Sequence, residues 1–251
     1  MKVKEYFSII YLVPLSLIFC FRNLPFKQAI KLPILICPSS LFPFIWKNII
    51  LKPKGRFLIN CKSVKTGMIR LGVNLVSIYP NKGILIDNKK EIVFNGKCVI
   101  GNGSILSVLP TGSLQFGDNF YATTTLRVVC AQKIVFGDNC LIGWDNLFMD
   151  TDLHVIKKYS SNSRLGVGYK PIRIGANNWF CMKTVSLKGT ITPDFTIVAN
   201  NSVLRDDYSN IGNYCIIGGV DEVKIKKRDV YLDRQDNQIE WSMLNNYDCI
   251  L

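Results

Sequence analysis

Histidine is nearly absent from this sequence of 251 residues, which contains only His154. A zinc finger, a γ-class carbonic anhydrase and other three-histidine metal enzymes are therefore poor fits, because their metals need several imidazole or thiolate ligands. The nine cysteines are irregularly spaced and form no C-x-x-C pair, so a disulfide-stapled secreted domain does not fit either. We expect no bound metal, and cysteines that act as small buried hydrophobes in a reducing compartment.

Acidic residues are almost missing from the N-terminal quarter. Residues 1–70 contain twelve Lys or Arg against Glu5 alone, which places +11 of the total net charge of +13 there. Two apolar stretches, residues 6–21 and 32–46, lie between these cations, and prolines interrupt both. As a helix the first would be roughly 24 Å long, short of the roughly 30 Å hydrocarbon core of a bilayer.

Several interpretations of this N-terminal segment are open. A secretory signal peptide is disfavoured because no small residues mark a cleavage site. A nucleic-acid-binding arm is disfavoured because the cations alternate with apolar rather than polar residues, and we expect no nucleic-acid partner. Packing on the domain behind it is a serious alternative. We favour a segment on the anionic cytoplasmic leaflet of a membrane, where apolar and cationic side chains contribute together.

From about residue 69 the apolar residues recur every sixth position, a period that suits neither an amphipathic helix nor an alternating strand. The three series are Phe94, Ile100 and Leu106; Cys130, Phe136, Ile142 and Phe148; and Trp179, Val185, Ile191, Ile197 and Val203. Each hexad can supply a short strand and a turn, with one apolar residue pointing inward, and three hexads close a triangular coil. The spacing therefore predicts a parallel β-helix, whose apolar ends need covering by the N-terminal segment and the C-terminal extension.

At these residues the sequence resembles the hexapeptide-repeat acyltransferases, which are left-handed parallel β-helices. The resemblance covers roughly residues 84–225 and is carried by five strings: GDNCLIGW at 137–144, DTDLH at 150–154, KPIRIGANNW at 170–179, KG at 188–189 and ANNSV at 199–203. Residues 24–30 are further similar to members encoded with capsule and lipopolysaccharide genes. We therefore expect an all-β chain: a basic apolar segment over 1–68, a left-handed β-helix over 69–220 with a loop at 155–169, and a C-terminal extension over 221–251.

The resemblance implies transfer of an acetyl group from acetyl-CoA to a sugar hydroxyl, a reaction that needs a base for the hydroxyl proton. His154 is the candidate base, because an imidazole suits this role near neutral pH. Asp152 is the second candidate catalytic residue and Asp150 a candidate substrate ligand. One of the two carboxylates would bond the far ring nitrogen of His154. The alternative is that both aspartates only cap a turn.

The resemblance also implies residues for the acceptor and for acetyl-CoA. Thr123 stands near the place where many small-sugar acetyltransferases have an asparagine, and Trp179 matches a tryptophan near their site, with core packing as its alternative. Candidate acetyl-CoA ligands are Gly143, Lys183, Lys188, Ala199, Ser202 and Arg205, with solvated corners as the alternative for the lysines. The family's Pro-containing ending appears here only as Gly218-Gly219-Val220-Asp221, so the contacts to the adenine end of CoA are expected to differ from the family's.

The function predicted from these patterns is that of an acetyl-CoA-dependent O-acetyltransferase of bacterial surface polysaccharide biosynthesis. The resemblance implies a cytoplasmic homotrimer with its sites between subunits. The N-terminal segment would hold it on the inner face of the membrane, where lipid-linked saccharides are built. An N-acetyltransferase acting on a nucleotide-linked amino sugar, an acyl-carrier-protein-dependent acyltransferase and a catalytically silent scaffold are the alternatives.

Overall fold

The computed structural model describes residues 3–37 and 55–234, with side chains from residue 12 onward. Residues 1–2 and 38–54 of the basic N-terminal segment and residues 235–251 of the C-terminal extension lie outside the described residues. The helices are α1 (Val3–Asn23), α2 (Phe26–Ala29) and a 3₁₀ turn (Ser209–Ile211). The strands are β1 (Ile34–Ile36), β2 (Arg56–Ile59), β3 (Ile69–Val73), β4 (Ile84–Asn88), β5 (Glu91–Phe94), β6 (Cys98–Gly101), β7 (Ser104–Val108), β8 (Ser113–Phe116), β9 (Phe120–Thr124), β10 (Arg127–Cys130), β11 (Lys133–Phe136), β12 (Leu141–Trp144), β13 (Leu147–Met149), β14 (Ile172–Ile174), β15 (Trp179–Phe180), β16 (Val185–Leu187), β17 (Ile191–Thr192), β18 (Thr196–Val198), β19 (Val203–Leu204), β20 (Cys215–Gly218) and β21 (Lys224–Arg228).

Successive strands pass from one sheet to the next, so that each coil contributes one strand to each of three sheets. Sheet 1 has the order β1-β3-β6-β9-β12-β15-β18-β20-β21, sheet 2 the order β19-β16-β13-β10-β7-β4, and sheet 3 the order β17-β14-β11-β8-β5-β2. Neighbouring strands are parallel until the last pair, β20 and β21, which is antiparallel. The predicted all-β fold, a left-handed parallel β-helix, is confirmed.

The core is a continuous column of side chains from the hexad positions. Phe94, Phe116 and Phe136 occupy matched positions of sheet 3, with ring centroids 5.6 Å apart in each stacked pair. The Phe148 ring packs edge-on against the Phe136 ring, with the two ring centroids 4.8 Å apart. Such aromatic pairs add about 0.5–1.5 kcal/mol each beyond the burial of their area. The first two predicted hexad series are thus buried in the column.

The third predicted series is wrong by one residue. Trp179, Val185, Ile191 and Val203 are half-buried on the outside, and the inward positions are Phe180, Ser186, Thr192, Val198 and Leu204. Adjacent strand residues face opposite sides, so a shift of one position exchanges the inner and outer sets. Here the outer set is the more apolar one, because the inner set includes Ser186 and Thr192.

The corner between sheets 3 and 1 explains the repeated Gly-Asp-Asn turns. Asn119 and Asn139 have φ values of 56° and 58°, and the Asn119 Nδ2 donates to Asn139 Oδ1 over 3.0 Å. Asp138 accepts a hydrogen bond from the Asp118 N–H at 2.7 Å. A Cβ at Gly137 would lie 2.6 Å from the Ala176 backbone nitrogen, so the close stacking of coils requires glycine there.

The N-terminal end of the column is covered by α1. Leu15, Phe19 and Cys20 are buried in the common core, and the Phe19 ring meets Phe57 at 5.0 Å. The buried Ser16 hydroxyl accepts the Ile36 N–H, which ties α1 to β1. This contact supports packing on the domain for one face of the helix. No helix in the described part of the chain is long and apolar enough to cross a membrane.

The predicted boundary at residue 69 falls inside the sheets. The strand β1 pairs with β3, and β2 pairs with β5, so residues before 69 already belong to the first coils. Their apolar residues alternate over only three or four positions, too short a run to show the six-residue period. At the other end, Arg234 returns along the corner between sheets 3 and 1, where its guanidinium donates to the carbonyl of Asn119 at 3.2 Å.

Candidate active site

The site region begins where β13 ends and the chain leaves the β-helix. Between β13 and β14 it forms a loop over residues 150–171, joined at its base by a bridge between Thr151 and Tyr169. A second bridge joins Lys157 and Arg164. This loop projects from the corner between sheets 2 and 3, at the place predicted for it.

Asp150 does not fit the predicted role of a substrate ligand. Its side chain is fully buried, and its carboxylate accepts the backbone N–H groups of Ala131, Gln132 and Lys133 at 2.6, 2.8 and 2.8 Å. These donors belong to the turn of the preceding coil. Asp150 therefore ties two coils together, and its oxygens are withdrawn from a sugar hydroxyl and from His154.

Asp152 lies at the rim of a cleft on the same corner. Its carboxylate pairs with the Lys188 ammonium, which also donates to the Val167 carbonyl at 2.9 Å. About a quarter of each of the two paired side chains is exposed. The cleft has a volume of about 510 Å³ and is lined by Met149, Thr151, Asp152, Ile156, Leu187, Lys188, Arg205 and Asp206. Two cations and two carboxylates therefore meet at this corner.

His154 stands two residues beyond Asp152, after Leu153, whose φ of 59° turns the chain outward. The His154 side chain is exposed, and its imidazole makes no hydrogen bond with any residue that the structure describes. The predicted bond to Asp150 or Asp152 is thus not formed in the single chain, because backbone N–H groups hold the first and Lys188 holds the second. Both ring nitrogens are open to a reacting group.

Thr123, Gly143 and Trp179 lie together on a different face. They line an apolar cleft of about 300 Å³ on the outer surface of sheet 1, together with Leu141, Trp144, Cys181, Met182 and Asn200. The register of β9 and β12 places Thr123 opposite Gly143. Trp179 is half-buried and faces this cleft, so it is not part of the inner column. None of these residues lines the cleft beside His154.

The candidate acetyl-CoA ligands are divided between the two faces. Lys188 and Arg205 lie in the cleft beside Asp152, on successive coils. Lys183 and Ala199 follow strands of sheet 1, at the corner between sheets 1 and 2. Ser202 does not fit its predicted role through its side chain, because the hydroxyl is buried, donates to the Ala199 carbonyl and accepts the Gly219 N–H.

The cysteines near these clefts are held as neutral thiols. Burial raises the pKa of Cys181, in the cleft on sheet 1, to about 11. Burial, followed by the charge of Asp150, raises the pKa of Cys130 to about 12. At neutral pH few thiolates form, so neither cysteine is suited to be an acyl-accepting nucleophile. Within the described residues no cluster of His, Cys, Asp and Glu side chains could hold a metal ion.

Sequence reasoning missed a polar cluster beside the cleft on sheet 1. The Asp145 carboxylate accepts the Tyr79 hydroxyl at 2.8 Å and the Thr125 hydroxyl at 2.7 Å, and the Tyr79 ring packs edge-on against Trp144. The hydrogen bond to Asp145 raises the pKa of Tyr79. The ion pair of Asp152 with Lys188 was also missed, although both residues were candidates. Their separation of 36 residues spans the irregular loop, which hides the register between coils.

Two solved structures are similar to this chain. The polySia-specific acetyltransferase NeuO has a TM-score of 0.46 and 19% sequence identity, over 76% of this chain and 91% of that chain. The polysialic acid O-acetyltransferase OatWY has a TM-score of 0.41 and 21% identity, over 72% of this chain and 76% of that chain. No protein-family model and no curated protein sequence matches the chain. The roles of its residues therefore follow from its own geometry.

Proposed function

We propose that the protein is an acetyl-CoA-dependent O-acetyltransferase that acts on a sugar hydroxyl. The observation that carries this proposal is the placement of the single histidine. His154 is exposed on a corner loop with both ring nitrogens unbonded. In the chain it lies between Asp152 and Ile156, which line the cleft that also holds Lys188 and Arg205. A free imidazole beside a cationic cleft suits proton removal from an acceptor next to a phosphate-bearing donor.

In this mechanism His154 accepts the proton of the attacking hydroxyl as the bond to the acyl carbon forms. The imidazolium then returns that proton to the leaving sulfur. Asp152 lies two residues before His154 on the same loop, where its carboxylate pairs with the Lys188 ammonium. This ion pair fixes the start of the loop that carries His154, so Asp152 supports the base by positioning the loop rather than through a hydrogen bond to the imidazole.

The residues of the corner fit the charge of acetyl-CoA. Lys188 and Arg205 are cations on successive coils, and Gly189 follows Lys188 with a φ of 85°. They would hold phosphate groups, whereas the donor itself supplies the activated thioester. Arg205 already donates to the Val220 carbonyl at 2.8 Å, which positions its guanidinium at the rim of the cleft.

We further propose that the site is completed by a second copy of the chain in a homotrimer. One chain places His154 and Lys188 at one corner and Thr123 and Trp179 on another face. The loop around His154 also exposes seven large apolar side chains, and an exposed apolar cluster is typical of an interaction surface. These side chains, between 50% and 105% exposed, are Leu153, Val155, Ile156, Tyr159, Leu165, Val167 and Tyr169. Packing against a neighbouring copy would cover them and bring both candidate sets together.

The proposed acceptor is a saccharide of bacterial surface polysaccharide assembly, in lipid-linked form, at the cytoplasmic face of the membrane. The basic apolar segment over 1–68 supports this location. In the proposed division of the chain, the β-helix and its corner loop carry out catalysis. The two terminal segments cover the apolar ends of the β-helix, and the N-terminal one also attaches the protein to the membrane.

Calorimetric titration with acetyl-CoA tests the donor. We expect micromolar binding of acetyl-CoA and CoA, and none of ATP. Lys188→Met should weaken acetyl-CoA binding about tenfold, since a charge-assisted hydrogen bond contributes about 1.5–3 kcal/mol. Lys226→Met, on the exposed strand β21, is the matched control and should bind as the unmodified protein does. Absence of CoA binding by the folded protein would contradict the proposed donor and favour a carrier-protein donor or a silent scaffold.

A further inference from the structure

The end of the β-helix that α1 covers has an apolar outer surface. While Leu15 and Phe19 of α1 face the core, Ile18 and Phe21 lie on the opposite face of the helix and are 47% and 48% exposed. Phe26 of α2 and Ile30, the residue that follows this helix, are 69% and 61% exposed. The rings of Phe21 and Phe26 are 5.9 Å apart, so the surfaces of the two helices join. We call Ile18, Phe21, Phe26 and Ile30 the end patch.

The segments that carry and flank the end patch are rich in lysine and arginine, of which Arg56 pairs with Glu91 over 3.4 Å. Residues 12–37 and 55–73 contain no Asp or Glu, and their cations are Arg22, Lys27, Lys31, Arg56, Lys62, Lys65 and Arg70. The loop that holds Lys62 and Lys65 lies beside α2, because the Thr66 hydroxyl donates to the Lys31 carbonyl at 2.8 Å. Large apolar side chains framed by lysine and arginine are typical of surfaces that lie in the headgroup region of anionic membranes.

We propose that the end patch docks on an anionic lipid bilayer, with α1 and α2 lying in the interface and not crossing it. The apolar side chains would enter the boundary between headgroups and acyl chains, and the cations would contact the lipid phosphates. An acidic protein partner would use the same cations, but it would not need four large apolar side chains displayed beside them. Charge complementarity and exposed apolar area thus point to the same occupant.

This docking sets the height of the catalytic corner above the membrane, an inference that rests on the proposed function. The buried face of α1 covers the end of the column, so the end patch points away from the β-helix along its axis. Four strand steps separate β1 from β12, the strand of the coil that leads to His154. At about 4.8 Å for each step, and with a helix diameter of roughly 10 Å, His154 stands roughly 30 Å above the lipid. The acceptor hydroxyl therefore belongs to a sugar well along a lipid-linked glycan, and not to the sugar next to the lipid.

Vesicle flotation of the full chain tests the docking. The vesicles contain phosphatidylcholine alone or with about one third phosphatidylglycerol, which supplies the negative surface potential. We expect binding to the anionic vesicles, and a loss of at least about tenfold in the double variant Phe26→Glu with Ile30→Glu. The matched control is Leu75→Glu with Ile78→Glu, which adds the same charge at exposed apolar residues of another loop, 36% and 73% exposed. That loop is tied to a later coil through the Tyr79 bond to Asp145.

The outcomes separate the docking surface from the proposed activity. A loss of flotation in the end-patch variant alone, with unchanged thermal unfolding and unchanged turnover of a water-soluble glycan, supports the proposal. Lys27→Glu with Lys31→Glu, which leaves the apolar side chains intact, should lose binding to the anionic vesicles as well. Equal flotation of the end-patch variant and its control, or no binding by the unmodified chain, would overturn it. Loss of turnover in every variant, including the control, would instead contradict the proposed function and would not bear on the docking surface, which flotation measures by itself.

Glycans of two lengths on the same lipid anchor test the height. On anionic vesicles the long acceptor should be acetylated and the short one should be acetylated at least about tenfold more slowly, while in detergent solution both should react equally. Equal rates with both lengths on vesicles would contradict the orientation of the β-helix axis.

Discussion

His154→Ala should lower kcat by at least about 10²-fold while leaving the thermal unfolding temperature unchanged, because general-base catalysis typically contributes 10²–10⁴-fold. The imidazole is exposed and makes no hydrogen bond with the described residues, so its removal costs no packing. The measurement is a rate of acetyl transfer with both substrates saturating, together with a melting curve. Added free imidazole should restore part of the rate to this variant.

The control for this prediction is another exposed residue of the same loop. Lys158→Ala removes a side chain four positions further along the loop. We expect its kcat to stay within about twofold of the unmodified enzyme, as usual for surface substitutions away from a site. A near-normal rate for His154→Ala would remove the proposed base, whereas equal losses in both variants would indicate that the loop acts only as a structural element.

Asp150→Ala should lower the free energy of unfolding by about 3 kcal/mol or more. The substitution leaves three backbone N–H groups of the turn at 131–133 without their acceptors, and each such loss costs about 1–3 kcal/mol when the group is buried. For a chain of this size the melting temperature would fall by roughly 10 °C. Denaturant unfolding of the purified variant measures the effect.

Asp138→Ala is the matched control, since it removes the same carboxylate from a different corner. Asp138 is exposed, and within the described residues its carboxylate accepts one hydrogen bond, from the Asp118 N–H, so we expect a loss of no more than about 1 kcal/mol. If Asp150→Ala were as stable as Asp138→Ala, the structural role of Asp150 would be wrong. That result would instead favour the sequence-based prediction that Asp150 is a substrate ligand.

The β-helix could be predicted because single apolar residues at every sixth position mark its repeat. Cys130, Phe136 and Phe148 mark the inner position at intervals of six and twelve residues within one unbroken run. The loop over 150–171 breaks that run, and the phase of the later coils cannot be carried across it by counting. The six-residue count therefore places Trp179 in the inner column, although the inward residue is Phe180.

The candidate site was predicted less completely, because contacts between coils depend on register. The resemblance groups Asp150 and Asp152 as one pair. In the structure, however, Asp150 accepts hydrogen bonds from a backbone turn, whereas Asp152 pairs with Lys188. Two residues that are two positions apart on a regular strand would share one face, but the chain leaves β13 after Met149, so local spacing does not reveal that Asp150 turns inward and Asp152 outward. The separation of His154 from Trp179 in one chain likewise follows from the triangular cross-section, which local spacing does not reveal.

The most direct test of the account is an acetyl-transfer reaction with the purified protein, acetyl-CoA and a bacterial surface glycan, followed by mass spectrometry of the glycan. We predict an added acetyl group that mild alkali removes, as expected for an ester on a sugar hydroxyl, and no product with His154→Ala. An alkali-stable acetyl group would instead show an amide and an N-acetyltransferase. No acetylated glycan from a protein that binds acetyl-CoA would contradict the proposed acceptor class.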